Sequence, residues 1–190
     1  MGYVAPDLRG ETLQRMARAT FETDKITPEQ LRYVLTMSVP SAYLLAYHTV
    51  KGHPITFSIP NRDSSKAVAH RPWQTDIIND QHPNKVVMKS RQLGLSEIGV
   101  AEMLWFADRY SANKVKCMYA FPTYRQLDDF IKTRLDPVIH SGYYSTILSP
   151  DGDSVKGKRI RDSFLLFRSA SKASSVEGIS MPLYTVMCIE

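Results

Sequence analysis

The residues best placed to do chemistry are the run Lys89-Ser90-Arg91-Gln92-Leu93-Gly94-Leu95-Ser96. A helix opening at such a run presents free backbone N–H groups and positive dipole to an anion. The phosphate-cradling loop of nucleotide hydrolases is written G-x4-G-K-[ST]. Here Gly94 and Ser96 fit, while Lys89 stands in the first Gly position and Leu95 in the Lys position. Hydrolysis of a nucleoside triphosphate needs a cation near the β- and γ-phosphates, but that cation is not tied to one backbone position. Lys89, at the start of the loop, can reach the same oxygens, and Arg91 is a second candidate. The same residues also spell a plain strand–turn–helix junction, with Gly94 making the turn and Ser96 capping the helix. Both readings stand on spacing alone.

The elements around the loop are the ones a phosphate loop needs. Val86-Val87-Met88 predicts a short apolar strand leading in. A helix is predicted from about Ser96 to Tyr110, apolar on more than one side through Ile98, Val100, Ala101, Leu104 and Trp105, as befits a helix packed between a sheet and other elements. Upstream, Trp73–Asp80 reads as a short helix. Downstream comes a strand, Val115–Phe121, then a helix beginning at Pro122-Thr123. There Thr123 and Gln126 form a capping pair, and Leu127, Phe130, Ile131 and Leu135 recur at helical spacing. Asp151-Gly152 makes a turn, Ser163–Phe167 a strand, Ser169–Gly178 a Ser-rich loop and Tyr184–Ile189 a last apolar strand.

Nearer the N-terminus, about Pro6 to Ser38 reads as helical, with a helix start at Thr27-Pro28-Glu29-Gln30 and a stop at Pro40. Ser41–Ile59 is mixed, with a strand-like run over Pro54–Ile59, and Asn61–Ala69 is a polar linker. The expected organisation is a helical or lid region over 1–65 and an α/β core over 66–190, a parallel sheet covered by helices. There is no internal repeat.

The 190 residues suffice for one domain with a sizeable core, and 43% hydrophobic with 23% charged residues is an ordinary globular balance. Lys and Arg total 24 against 19 Asp and Glu, a formal charge of +5. That excess suits a polyanionic partner, although many basic proteins bind no nucleic acid. The basic stretch Lys156-Gly157-Lys158-Arg159-Ile160-Arg161 reads either as a contact to DNA phosphates or as a solvated hairpin tip. Cys117 and Cys188 are far apart and without His neighbours, so they read as buried small apolar residues of a reducing compartment. No apolar stretch approaches the ~18 residues that span a bilayer. The first residues lack the apolar region of a secretory leader, and Pro6 stands where Met1-Gly2 would need Ser or Thr for acylation. A cytoplasmic protein is expected.

The run from Met88 to Ser96 resembles the Walker A motif of large terminase subunits, the ATP-driven DNA-packaging motors of tailed bacteriophages. Some members carry Ser-Arg-Gln-Leu-Gly followed by Lys. Others, in lambdoid phages, move the lysine to the start of the loop and put a bulky residue after the Gly. This sequence looks like the second type written on the first type's loop. The resemblance implies that Lys89 is the phosphate-binding lysine. Ser90, Gln92, Leu93, Gly94 and Leu95 would then line the phosphates, and Ser96 would be the Mg²⁺ ligand. Arg91 would occupy the position often assigned to the arginine that acts on the γ-phosphate. Arg71-Pro72-Trp73-Gln74 resembles the family's adenine-recognition motif, with Trp73 and Gln74 at the base; read by itself, it is a helix-start proline followed by a core Trp. Tyr119-Ala120-Phe121-Pro122-Thr123, with Gln126 and Phe130, resembles the strand-to-helix element that follows Walker A. Thr185-Val186-Met187-Cys188-Ile189-Glu190 has the layout of Walker B. Glu190 then stands in for the metal-binding acid or, in a slipped alignment, is the catalytic acid.

The resemblance covers about Arg71 to Glu190 and implies a P-loop NTPase of the RecA/ASCE kind. The cofactors implied are ATP and Mg²⁺. The activity implied is ATP hydrolysis coupled to translocation of double-stranded DNA into the procapsid. The implied partners are the portal protein, the small terminase subunit and the nuclease-bearing C-terminal remainder of the large subunit, with subunits in a homo-oligomeric ring. Such a motor works in the host cytoplasm, docks transiently on the procapsid portal, leaves no copy in the mature virion and needs no membrane. In that family the catalytic Glu, a coupling segment and the nuclease follow Walker B. The chain is therefore expected to be a poor ATPase alone, as one piece of a split gene or a shortened chain. Two other readings stay open. A helicase-like ATPase shares the Gln motif, the loop and the Pro-Thr strand end, but rarely departs from Gly-Lys-Thr. A non-catalytic nucleotide- or DNA-binding scaffold is favoured by Leu95 and by the early end.

Overall fold

The computed structural model describes residues 10–59, 69–70, 72–80, 82, 84–88, 93–172, 174 and 185–189. The chain divides into two compact units, Met1–Ala46 with Thr56–Leu93, and Tyr47–Ile55 with Gly94–Glu190.

In the first unit, the region read as helical from about Pro6 to Ser38 holds two helices, α1 (Gly10–Phe21) and α2 (Pro28–Ser38). The break falls at Glu22, whose φ of 50° no helix tolerates. The α2 start is as predicted. Thr27 Oγ1 accepts the Gln30 N–H (3.2 Å) and Gln30 Oε1 accepts the Thr27 N–H (2.9 Å), a complete capping box. Pro40 does not simply end a helix. Val39 is extended (φ −118°, ψ 111°), as the residue before a proline prefers, and Pro40 opens α3 (Pro40–Tyr47), where its missing N–H costs nothing. The stretch read as mixed thus begins as a helix. α4 (Pro72–Asn79) lies where a helix was expected, and its last residue is tied to the start of α3. The Ser41 N–H donates to Asn79 Oδ1 (3.0 Å), and Asn79 Nδ2 donates to Ser41 Oγ (2.9 Å).

The Pro54–Ile59 strand is not continuous. Its ends belong to two short antiparallel pairs, β1 (Thr49–Val50) with β2 (His53–Pro54) in the second unit and β3 (Ser58–Ile59) with β4 (Ala69–His70) in the first. Residues 61–68 of the predicted linker lie outside the described residues. Val86-Val87-Met88 is not a strand. Val86 is 98% exposed and Met88 100%, and strand propensity without a covering surface does not make a strand.

The second unit is α/β. α5 (Leu95–Arg109) is followed by β5 (Lys116–Phe121) and then by a helical run. That run comprises α6 (Tyr124–Phe130), a widened π turn over Ile131–Leu135 and α7 (Asp136–Ile139); α8 (Gly142–Ile147) comes next. β6 (Gly157–Ile160), β7 (Ser163–Ser169) and β8 (Thr185–Ile189) complete a four-stranded sheet of order β6-β7-β5-β8. β7, β5 and β8 are parallel and in register, with Cys117 opposite Leu165 on one side and Val186 on the other. β6 lies antiparallel on the edge. The sheet is therefore mixed rather than wholly parallel. α6 starts at the predicted residue, with Thr123 Oγ1 accepting the Gln126 N–H, but only this half of the expected capping box forms, since Gln126 Oε1 accepts from the Thr123 hydroxyl (3.0 Å). The core runs along α5, buried at Ile98, Ala101, Leu104 and Trp105, and along β5, where Phe130 lies against the rings of Tyr119 and Phe121. Cys117 is buried, as expected.

The basic stretch runs through β6 into the exposed β6–β7 hairpin turn, so it is a hairpin tip solvated in part. Lys158 is 3% exposed and forms ion pairs with Asp136 (2.8 Å) and Asp153. Arg161 sits in the β6–β7 turn at φ 49°, and its Nε donates to Asp108 Oδ1 (2.7 Å). Asp136 and Asp108 belong to other helices, so spacing could not have revealed them.

Candidate functional site

The start of α5 is built around a glycine. Gly94 has φ 73° and ψ 13°, left-handed backbone that costs a residue with a side chain about 1–2 kcal/mol. It is the N-cap, and as a glycine it contributes no side-chain cap. Ser96 is therefore inside the helix and does not cap it. Its side chain is half-buried, as is that of Leu95, while Leu93 is exposed.

The sheet fixes where this start lies within the second unit. Ser163 Oγ donates to the Ala107 carbonyl (2.8 Å) and Arg161 bonds Asp108, so the last turn of α5 sits at the amino ends of the parallel strands. Fifteen helical residues span about 22 Å and the six of β5 span about 20 Å. The first turn of α5 therefore stands level with the carboxyl ends of β5 and β8, where Ala120 pairs with Ile189. In open α/β sheets ligands bind outside the carboxyl ends of the strands.

One carboxylate belongs to this turn. Glu97 is the third helical residue, the position from which an acid reaches back to the N-cap N–H in a capping box. It does not do so. Glu97 Oε1 bonds His48 Nε2 (3.0 Å), and His48 Nδ1 bonds the Tyr144 hydroxyl (3.3 Å). A carboxylate only accepts, so in the neutral imidazole Nε2 carries the proton and Nδ1 accepts from Tyr144. The His48 side chain is 1% exposed. Its neighbour Tyr47 stacks on Tyr143, ring centroids 3.8 Å apart. The lead-in to β1 is thus pinned to α8 and to the first turn of α5. No sequence signal marked His48 or Tyr144, and Glu97 was legible only as an acid three residues after Gly94.

The far end of α5 carries the opposite arrangement. Asp108 is buried and accepts from Arg161 and from the Tyr143 hydroxyl (2.8 Å). Burial, together with the bond to Asp108, pushes the Tyr143 phenol well above its ordinary range, and Asp108 likewise raises Arg161. This end is saturated and structural.

Among the residues predicted to form the site, Lys89, Ser90, Arg91, Gln92 and Glu190 lie outside the described residues. Leu93, Gly94, Leu95 and Ser96 form the turn and the helix start. Thr185–Ile189 is the expected strand leading to Glu190. In the first unit, Trp73 and Gln74 open α4. Trp73 is partly exposed, so it is not the core residue of the plain structural reading. Gln74 is 4% exposed and its Nε2 donates to the Leu93 carbonyl (2.9 Å), which fixes the residue just before Gly94. Among the described residues no group of three His, Cys, Asp or Glu is placed to hold a metal ion, and no helix is long and apolar enough to cross a membrane. Comparison of the chain with protein-family models, with curated proteins and with solved structures finds no match.

Proposed function

We propose that residues Lys89–Ser96 bind the phosphates of Mg·ATP, and that the chain is the ATPase part of a DNA-packaging motor of the large-terminase kind. The observation that carries the reading is the start of α5: a left-handed glycine as its N-cap, and a position level with the carboxyl ends of β5 and β8. Those features suit an anion held by backbone N–H groups.

In this reading the fold is a P-loop NTPase. The N–H groups that open α5 hold phosphate oxygens, Lys89 and Arg91 supply positive charge, and the Ser96 hydroxyl and Glu190 would hold Mg²⁺. The metal would neutralise charge developing on the γ-phosphate. Gln74 acts through the Leu93 carbonyl, setting the turn before Gly94. Hydrolysis would drive double-stranded DNA through a portal, with the subunits in a ring and the small terminase subunit and a nuclease-bearing remainder as partners.

The test is equilibrium binding of Mg·ATP to the wild-type chain and to Lys89→Ala. The reading expects saturable binding that the substitution weakens by about tenfold or more, the loss of one charge-assisted phosphate contact. Equal affinity for both proteins would sink it. The exposed Val86-Val87-Met88 segment favours a second reading, a nucleotide-binding scaffold that does not hydrolyse, because a catalytic loop is normally delivered by a strand of the sheet. Binding without turnover, in the presence of the C-terminal remainder, would select it.

A further inference from the structure

We infer that the outer face of β6 and β7 binds single-stranded nucleic acid, with Tyr124 and Phe164 stacking bases and Lys156, Arg159 and Arg168 meeting phosphates. These residues all belong to the second unit. The inference does not rest on the nucleotide reading and stands or falls without it.

The strand period sorts the side chains. Successive residues of a strand point to opposite faces, and residues directly opposite on an antiparallel neighbour share a face. The odd-numbered residues of β7 are buried, whereas Phe164 is 41% exposed and Arg168 is half-buried. Arg159 of β6 lies opposite Phe164, its guanidinium carbon 5.5 Å from the centre of that ring. Lys158, one residue earlier, points the other way and is spent on Asp136 and Asp153. The alternation divides the basic stretch into a buried ion-pair side and an outer side.

The outer side continues from Phe164 to Arg168, about 13 Å further along the same face. Arg168 Nη1 donates to the carbonyls of Lys156 (2.9 Å) and Phe167 (2.8 Å). Backbone therefore holds this guanidinium, and among the described residues no carboxylate neutralises it. Lys156 Nζ likewise has no acid partner among the described residues; it lies 5.4 Å from the centre of the Tyr124 ring, and Tyr124 is 51% exposed. The acids of α6 and of the β6–β7 turn already face cations. Asp128 pairs with Lys132 (2.8 Å), Asp129 with Arg125 (4.0 Å) and Asp162 with Arg159 (3.3 Å). Arg159 is thus partly paired, while Lys156 and Arg168 keep their whole charge.

Exposed rings interleaved with unspent cations are what a single strand recognises, because it offers a base face and a phosphate at every nucleotide. A duplex shows only base edges in its grooves, so the rings would gain nothing from it. A cation over an exposed ring is held weakly, more weakly than a stacked base. A base that takes its place also frees the cation for the phosphate.

The test is a titration, without ATP, of the full chain against a fluorescent oligothymidylate of about 16 nucleotides and a duplex of equal length, at several salt concentrations. Wild type should bind the single strand more tightly. Tyr124→Ala should weaken that binding about fivefold or more without changing its salt dependence, and Tyr124→Phe should keep wild-type affinity. Lys156→Gln and Arg168→Gln should each lower the slope of log affinity against log salt by about 0.7. Lys25→Gln, which removes an exposed cation of the first unit, should leave that slope unchanged. Folding of each variant is followed by its thermal transition, and Tyr124 and Lys156 are exposed enough for their variants to fold if Arg168→Gln does not. Wild-type affinity in both Tyr124→Ala and Lys156→Gln would overturn the surface. A preference for duplex, or Tyr124→Ala without effect, would overturn the stacking of a single strand. No binding at low salt would overturn the inference altogether and leave ATP binding, which Lys89→Ala tests, untouched.

Discussion

Helices α2 and α5 begin with the same problem and solve it in opposite ways. Each has N–H groups in its first turn that no carbonyl of its own helix can reach. At α2 the sequence closes them, with Thr27 and Gln30 bonding one another's backbone and Pro28 removing one donor. At α5 the N-cap is Gly94, left-handed and without a side chain, and the Glu97 side chain bonds His48 rather than the N-cap. A helix start that merely needs to be stable looks like α2. One whose N-cap brings no side chain forgoes that contribution, and the proposed phosphate site is what it would serve.

The contrast can be tested by changing each start. The largest effect is expected from Gly94→Ala, which places a Cβ on left-handed backbone and should cost about 1–2 kcal/mol in chemical denaturation. If it costs nothing, the strained turn is not a feature of the protein in solution. Thr27→Ala should cost about 1 kcal/mol, the ordinary worth of a capping side chain, and should leave nucleotide affinity unchanged. Thr27→Gly should cost only a few tenths of a kcal/mol, because glycine is a tolerable N-cap. A Thr27→Gly as damaging as Thr27→Ala would mean that α2 is closed by something other than its cap.

The smallest effect lies away from both starts and serves as a control. The bond to Asp153 (2.6 Å) raises the His140 pKa above its ordinary value, against the opposing pull of burial. A raised histidine stabilises the fold fully below its unfolded pKa, about 6.5, and the contribution fades as pH rises through the folded value. Burial raises Asp153, but Lys158 and His140 together outweigh it and leave its carboxyl lowered. The Asp153 contribution is therefore present above about pH 4 and lost as pH falls through the lowered value. Wild type should lose a little stability as pH rises from about 6.5 through the raised His140 value that His140→Gln does not lose. The group is half exposed and the effect correspondingly modest. Neither helix start should respond.

What could be read from the sequence was local. Both Thr–Gln capping pairs, the helix through Trp105 and the strands at Val115, Ser163 and Tyr184 depend on contacts or periodicities a few residues long. Pro40 was legible as the stop of α2 but not as the start of α3, because one proline can end a helix and begin the next. Val86-Val87-Met88 misled because its residues favour a strand, while the decision rests on whether a neighbour covers them. The basic stretch was legible as a hairpin tip but not in its paired cations, since the acids that claim Lys158 and Arg161 come from other elements. His48 and Glu97 lie 49 positions apart. Gly94 was legible as a turn residue, but the bond between His48 and Glu97 in the turn that follows was not.

The place of β5 between β7 and β8 has a consequence in time. Its partners on the two sides, Phe164 and Thr185 opposite Lys116, arrive roughly 50 and 70 residues later in the chain. At about 5–20 residues per second, a ribosome takes several seconds to supply them. During that interval β5 has neither edge paired, although its side chains are the most continuously apolar of any strand in the sheet. The nearest shelter available is α5, already made, whose buried face lies one short turn upstream. Pairings this distant also make for slow closure of the sheet. The hairpin of β6 and β7, joined by the two residues Arg161 and Asp162, can form on its own and add to β5 as one piece. The strand order thus implies an order of assembly: helix on strand first, hairpin second, and β8 last.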